Sequence, residues 1–242
     1  YVLTTLKEQN KLPAKGFVVR TMVTTAMIDA IAERFGVKVY NDLLVGIKYI
    51  TRAIYDHQDN GDETFIVGGE ESYGMLKGSY TRDKDAAVTG LMLAEYASIL
   101  KDQGKTLLDA LEDLYREYGY FLETQVRNNF PGAAGFAAMN TMMAAFRDNP
   151  PKELGGMLVV KTAKYVQDAN GAFVIRLFLS EDGRNVATVR PSGTEPIAKF
   201  YIALSDESAK GVQDLAPIKA ALAEKAKAIE ADLKAFAEQS AK

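Results

Sequence analysis

Apolar residues recur along this chain in two different rhythms. In the first half, short apolar runs alternate with segments of helical period. Gly16–Met22 reads as a strand, and Ala26–Phe35 as a helix capped by Thr24 or Thr25. Gly36 stops that helix, because a glycine just past the last turn accepts a left-handed backbone at little cost. Val37–Tyr40 predicts a short strand, Val45–His57 a helix and Thr64–Val67 a buried strand. Strands separated by helices at this spacing predict a parallel sheet with crossover helices. Two further helices, Asp85–Asp102 and Thr106–Tyr118, are separated at Gly104.

The second half changes to strands in near succession. Glu123–Arg127 predicts a strand and Gly135–Arg147 a Met-rich helix ended by Asn149-Pro150-Pro151. Strands are then expected over Met157–Val166, Ala172–Leu179, Asn185–Val189 and Ile197–Leu204. Asp168-Ala169-Asn170-Gly171 and Glu181-Asp182-Gly183-Arg184 carry hairpin signals between them. A long Ala/Lys/Glu helix from about Pro217 to Glu238 closes the pattern, its charges forming a solvated face. The fold class expected is α/β plus α+β. A parallel-type sheet domain with crossover helices, residues 1–119, precedes a smaller antiparallel-sheet α+β domain, residues 120–242.

Composition adds bounds. An apolar fraction of 48% with 25% charged residues is that of a globular protein with a proper core. The net charge of −3 gives no broad pull toward nucleic acid, so any anion site must be local. Zero cysteine removes disulfides and thiolate metal sites, which fits a cytoplasmic location. No apolar stretch is long enough to span a membrane, so no membrane partner is expected.

The chemistry concentrates in two polar segments. Arg190-Pro191-Ser192-Gly193-Thr194-Glu195-Pro196 interrupts two apolar strand runs, so the chain must turn there. The turn holds a guanidinium, two hydroxyls and an uncovered glycine N–H, all donors suited to a phosphate dianion. A plain polar turn capped by Ser192 and Thr194 is the other reading of the same residues. Gly68-Gly69-Glu70-Glu71-Ser72-Tyr73-Gly74 directly follows the buried strand, where loops of a parallel sheet collect ligands. Its carboxylates can accept hydrogen bonds and its Ser72 hydroxyl can donate or accept one.

The first heptapeptide, followed by a strand carrying Lys199, resembles the phosphate-binding loop of the α-D-phosphohexomutases, which include phosphoglucomutase and phosphomannomutase. The second resembles that family's sugar-binding loop, and Arg82-Asp83-Lys84-Asp85 follows it as in phosphoglucomutase-like members. Val23-Thr24-Thr25 and Leu44-Val45-Gly46-Ile47-Lys48 extend the resemblance over essentially the whole chain, in the order of the family's third and fourth domains. The family's phosphorylated serine loop and its Asp-Gly-Asp magnesium loop have no counterpart in these residues. His57, the single histidine, lies in an acidic stretch that reads as a solvated turn. Tyr1–Asn10 reads as the back half of an amphipathic helix. The chain is therefore expected to be the C-terminal part of a longer mutase, inactive alone, with the missing N-terminal domains as partners.

The resemblance implies interconversion of hexose 1-phosphate and hexose 6-phosphate through a phosphoserine and a hexose 1,6-bisphosphate, with Mg²⁺ held by another domain. It implies that Glu70 and Ser72 grip the sugar ring and that Gly46 lets the backbone approach it. Arg190, Ser192, Gly193, Thr194 and Lys199 would anchor the phosphate, and Lys84 would serve as an acid/base. That role for Lys84 asks for burial or a neighbouring cation such as Arg82. Glu71 reads equally as a cap or salt bridge, Lys48 as a surface lysine, and Arg20 as a weaker phosphate contact. The Tyr73-Gly74 form of the sugar loop leans toward phosphoglucomutase. A stand-alone, non-catalytic phosphosugar-binding protein is the alternative reading.

Overall fold

A computed structural model describes residues 1–72, 74–132, 134–167, 172–192 and 195–241. The chain divides into two compact units, Tyr1–Gly119 and Tyr120–Lys242, of nearly equal length.

The first unit contains α1 (Val2–Glu8), β1 (Gly16–Thr21), α2 (Met27–Phe35), β2 (Lys38–Leu43), α3 (Ile47–Ile54), β3 (Thr64–Gly69), β4 (Met75–Lys77), α4 (Ala86–Asp102) and α5 (Leu107–Tyr118). Its sheet runs in the order β2-β1-β3-β4, with β1 parallel to β2 and β3 and only β4 antiparallel. β1 is buried along its whole length, and the strand pleat sends its side chains to opposite faces. Phe17 and Val19 pack with Ile50, Ile54 and Phe65 on the α3 side. Val18 packs with Leu3, Ala32, Val37 and Ile66 on the side of α1 and α2. A strand covered on both faces has no polar alternation, hence the continuous apolar run in its sequence.

The local signals explain most boundaries. Gly36 takes the left-handed conformation, φ 65°, just past α2. Asp85 caps α4 by accepting from the amides of Ala87 and Val88. Thr106 and Asp109 form a reciprocal capping box at α5. The start of α2 departs from expectation. Its N-cap is Ala26, while Thr25 accepts only a 3.2 Å bond from the Met27 amide and Thr24 pairs with the Thr21 hydroxyl.

The segment around His57 is not the simple solvated turn expected. Tyr55–Asp59 continues α3 as one π-helical turn. His57 stacks on Tyr40 with ring centroids 3.9 Å apart, and its Nδ1 lies 3.7 Å from Glu63. Stacking and the carboxylate hold the ring against β2, and a widened turn accommodates that position.

The second unit contains β5 (Tyr120–Asn129), α6 (Gly135–Asp148), the short hairpin β6 (Glu153–Leu154) and β7 (Met157–Leu158), β8 (Lys161–Val166), β9 (Phe173–Phe178), β10 (Val186–Pro191), β11 (Ile197–Asp206) and α7 (Ala216–Ser240). The main sheet is antiparallel throughout, in the order β5-β11-β10-β9-β8. β5 is twice the expected strand and pairs with β11 from Tyr120↔Asp206 to Asn129↔Ile197. The expected strand over Met157–Val166 is broken instead, because Met157–Leu158 pairs with β6 and only Lys161–Val166 joins the sheet. The hairpin signal at Asp168–Gly171 lies outside the described residues. The one at Glu181–Arg184 is a turn with Gly183 at φ 71°. Phe146 of α6 meets Phe200 of β11 and Phe236 of α7, so one face of the sheet is covered by helices.

Candidate functional site

Two separate polar sites emerge, one in each unit. In the first unit, residues 70–74 are the connection between β3 and the antiparallel β4, a strand the sequence pattern does not reveal. Gly68 lets β3 lie close to β1: a Cβ there would stand 2.5 Å from the Val19 carbonyl oxygen. Gly74, at φ 121°, returns the chain into β4. This geometry fixes Glu70 immediately beyond the carboxyl end of a parallel strand.

The Glu70 side chain is 5% exposed, and its Oε2 lies 2.9 Å from Lys84 Nζ. Lys84 Nζ also lies 3.4 Å from the Ser72 carbonyl, as donor. Three residues singled out in the sequence thus meet around one ammonium group. Arg82 does not join them: its Nη2 bonds both oxygens of Asp59, at 2.7 and 2.9 Å. The cation expected beside Lys84 is therefore engaged elsewhere, and a carboxylate stands in its place. Asp83 accepts from the Lys84 amide at 2.7 Å, while Asp85 is committed to capping α4 and to the Tyr80 hydroxyl. The Tyr80 hydroxyl and the capped amides hold the Asp85 carboxyl below its ordinary range.

Glu70, Gly68 and Gly69 also border a cavity of about 320 Å³ walled by Val18, Ile28, Ile31 and Phe35. These walls are mostly apolar and offer few hydrogen-bonding groups. Gly46 precedes α3 at φ 137°, a conformation that favours glycine. Lys48 lies over the Tyr49 ring at 4.9 Å. Tyr73 is outside the described residues.

Arg20 proves to be a structural residue. It is 7% exposed, with Nε 2.7 Å from Asp29 Oδ1 and Nη2 on the other oxygen. Its Nη1 donates to the carbonyls of Thr21 and Thr24. Asn41 donates to the same Asp29 at 2.9 Å, so the network ties β1, α2 and β2 together. An arginine so fully bonded has little left for a phosphate contact.

In the second unit, the polar turn joins β10 to β11. Ser192 donates its amide to the Ile197 carbonyl at 2.8 Å and accepts the Glu195 amide on Oγ at 3.3 Å. Gly193 and Thr194 lie outside the described residues. Arg190 pairs in register with Lys199, and Lys199 with Arg127 of β5. Neighbouring residues Val189 and Phe200 belong to the helix-covered face, so the three cations share the opposite one. A cavity of about 250 Å³ is lined by Arg127, Arg190, Ser192, Glu195, Ile197 and Lys199. None of the three cations has an ion-pair partner among the described residues, and Arg190 Nε is buried without an acceptor. An unsatisfied buried donor costs about 1–3 kcal/mol, and a guanidinium N–H of this kind suits an anionic acceptor.

Arg127 was missed because it stands at the end of a predicted strand, far from the motif in sequence. Only the β5–β11 register brings it to the pocket. Among the described residues no group of three His, Cys, Asp or Glu side chains could hold a metal ion. No helix of the described residues is long and apolar enough to cross a membrane.

Comparison with known proteins places these sites in context. Residues 1–118 match the family described as phosphoglucomutase/phosphomannomutase, alpha/beta/alpha domain III. A phosphoglucomutase of Staphylococcus haemolyticus is 33% identical over 225 residues, covering 87% of this chain and 40% of that protein. One of Staphylococcus aureus is 33% identical over 201 residues, covering 77% of this chain and 35% of that protein. The chain thus spans about 40% of the length of the curated relatives it matches. Among solved structures, pp63/parafusin (phosphoglucomutase) of Paramecium aligns over 92% of this chain and 37% of its own, with a TM-score of 0.55 at 20% identity. A phosphoglucomutase/phosphomannomutase family protein of Burkholderia thailandensis aligns over 97% of this chain and 40% of its own, with a TM-score of 0.50 at 14% identity. These two likenesses bear on fold alone, and they agree with the mixed sheet followed by the antiparallel one. By its sequence matches, the chain belongs to the phosphoglucomutase/phosphomannomutase family.

Proposed function

We propose that this chain supplies sugar and phosphate recognition to a phosphohexomutase that interconverts hexose 1-phosphate and hexose 6-phosphate. The observation that carries the reading is the pocket of Arg190, Lys199 and Ser192, whose cations have no ion-pair partner among the described residues. Arg190 is suited to grip two phosphate oxygens as a fork, and Lys199 adds a point charge beside it. Gly193 and Thr194 are assigned to the same anion on the motif alone.

In the first unit, Glu70 and Ser72 accept and donate hydrogen bonds at the sugar hydroxyls. The acid/base part at a hydroxyl oxygen that enters this loop is assigned to Lys84 on the motif, supported by its position beside Glu70. Gly46 permits a backbone approach to the ring. The phosphoserine, the hexose 1,6-bisphosphate and the Mg²⁺ of the cycle are assigned to none of these residues. The chain by itself is therefore expected to bind without turnover. Positioning of this kind supplies much of the barrier reduction in phosphoryl transfer.

Titration with glucose 1-phosphate, followed by amide NMR, tests the reading. Shifts at Ser192 and Glu195 that disappear in Arg190→Ala support it. A folded chain that shows no shift at millimolar ligand overturns it, leaving the segment a plain turn.

A further inference from the structure

The antiparallel register places three cations directly opposite one another across adjacent strands, Arg190 on β10, Lys199 on β11 and Arg127 on β5. Directly opposed side chains on one face stand about 5 Å apart at Cβ, and like charges so placed destabilise a sheet. The described residues relieve this repulsion with no ion pair, and Glu195 contributes the one carboxylate among the described residues lining the cavity. Two cations and the Ser192 hydroxyl would already serve a phosphate. The third, Arg127, lies outside the motif yet lines the same cavity and is exposed at its margin.

We propose that Arg127 is a phosphate-binding residue, the outer member of a three-cation row that selects the dianionic form of a phosphate monoester. Resting on the reading of the pocket given above, it adds a residue and a charge preference to it. The arrangement has a direct chemical meaning. A phosphate monoester carries two charges above its second pKa of about 6 and one below it. A row of three cations gains more from the second charge than a two-cation site does, because each added cation interacts with the whole anion. The exposed position of Arg127 gives it a further part, attracting the anion at long range in a salt-dependent way.

The test is a calorimetric titration of the whole chain with glucose 1-phosphate, a phosphate monoester, at two salt concentrations and at pH values on either side of about 6. Arg127→Gln is expected to weaken binding about fivefold at low salt, the upper range for an exposed ion pair. It should also flatten the salt dependence and reduce the loss of affinity below pH 6. Arg127→Lys should recover part of the affinity. Arg147→Gln serves as the control for general surface charge, since Arg147 is paired with Asp148 in the same unit. Unchanged binding by Arg127→Gln, while Arg190→Ala abolishes it, overturns the role of Arg127 and leaves the phosphate pocket standing. Equal weakening by Arg147→Gln reduces the effect to net charge and also overturns the assignment. Absence of binding by the unaltered chain overturns the pocket and this extension of it together. Matching thermal melts for the variants establish that folding is not the variable.

Discussion

Arg20 and Arg190 stand at equivalent-looking places, each near the carboxyl end of a strand beside a turn that contains hydroxyl residues. Their surroundings differ in one respect. Arg20 bonds both oxygens of Asp29 and two backbone carbonyls, and so closes a structural network. Arg190 faces two other cations, lacks a carboxylate partner among the described residues and keeps a buried Nε without an acceptor. A guanidinium whose hydrogen bonds are satisfied within the protein holds the fold, whereas one left unsatisfied in a cavity is available to a ligand. The sequence offered no such distinction, because Asp29 lies on the next helix and its reach back to Arg20 is a tertiary fact.

That comparison can be broken by perturbing the structural side of it. Arg20→Ala should cost about 3 kcal/mol of unfolding free energy, the low end for removing one partner of a buried ion pair. Denaturant unfolding of the chain measures it, and a loss below about 1 kcal/mol would remove the contrast. Lys84 and Glu70 form an intermediate case, a partly buried pair assigned both to structure and to binding. A double-mutant cycle with Lys84→Gln and Glu70→Gln should give a coupling of about 1 kcal/mol in stability. A coupling near zero would show that the two groups are held apart in solution.

The smallest effect concerns acid. Glu63 accepts from Lys38 at 2.8 Å and from the Tyr40 hydroxyl at 2.6 Å, and the first of these bonds chiefly holds its carboxyl below its ordinary 4.5. A carboxylate with a depressed folded value binds fewer protons in the native state than in the unfolded one. Its contribution is complete above about pH 4.5 and disappears as the pH falls through the lower folded value. Glu63→Gln should therefore flatten the stability profile between these limits by less than about 1 kcal/mol, as read from melts across that pH range.

What could be read in the sequence follows from how local each cause is. The caps at Asp85 and Thr106 and the stop at Gly36 are fixed within a few residues, and all three are observed. The parallel-then-antiparallel change also shows, because crossover helices and hairpin turns leave different spacings. β4 is three residues long and has no periodicity to detect, and it is held by pairing with β3. The π-turn at Tyr55–Asp59 depends on Tyr40 from another strand, so a helix-to-turn reading of the acidic segment cannot find it. The same limit applies to the sites. The motifs marked Glu70, Lys84, Arg190 and Lys199, but not the Glu70–Lys84 pair, the diversion of Arg82 to Asp59 or the approach of Arg127.

The most direct test of the central claim is the affinity of inorganic phosphate for three chains: unaltered, Arg190→Ala and Arg20→Ala. Each is measured by calorimetry under conditions where it is folded. The account predicts a loss of about 100-fold for Arg190→Ala, equivalent to removing one charge-assisted bidentate contact. It predicts less than a twofold change for Arg20→Ala despite its lower stability. Equal losses in both variants, or retention of affinity by Arg190→Ala, would contradict the assignment of the unpaired arginine to the ligand.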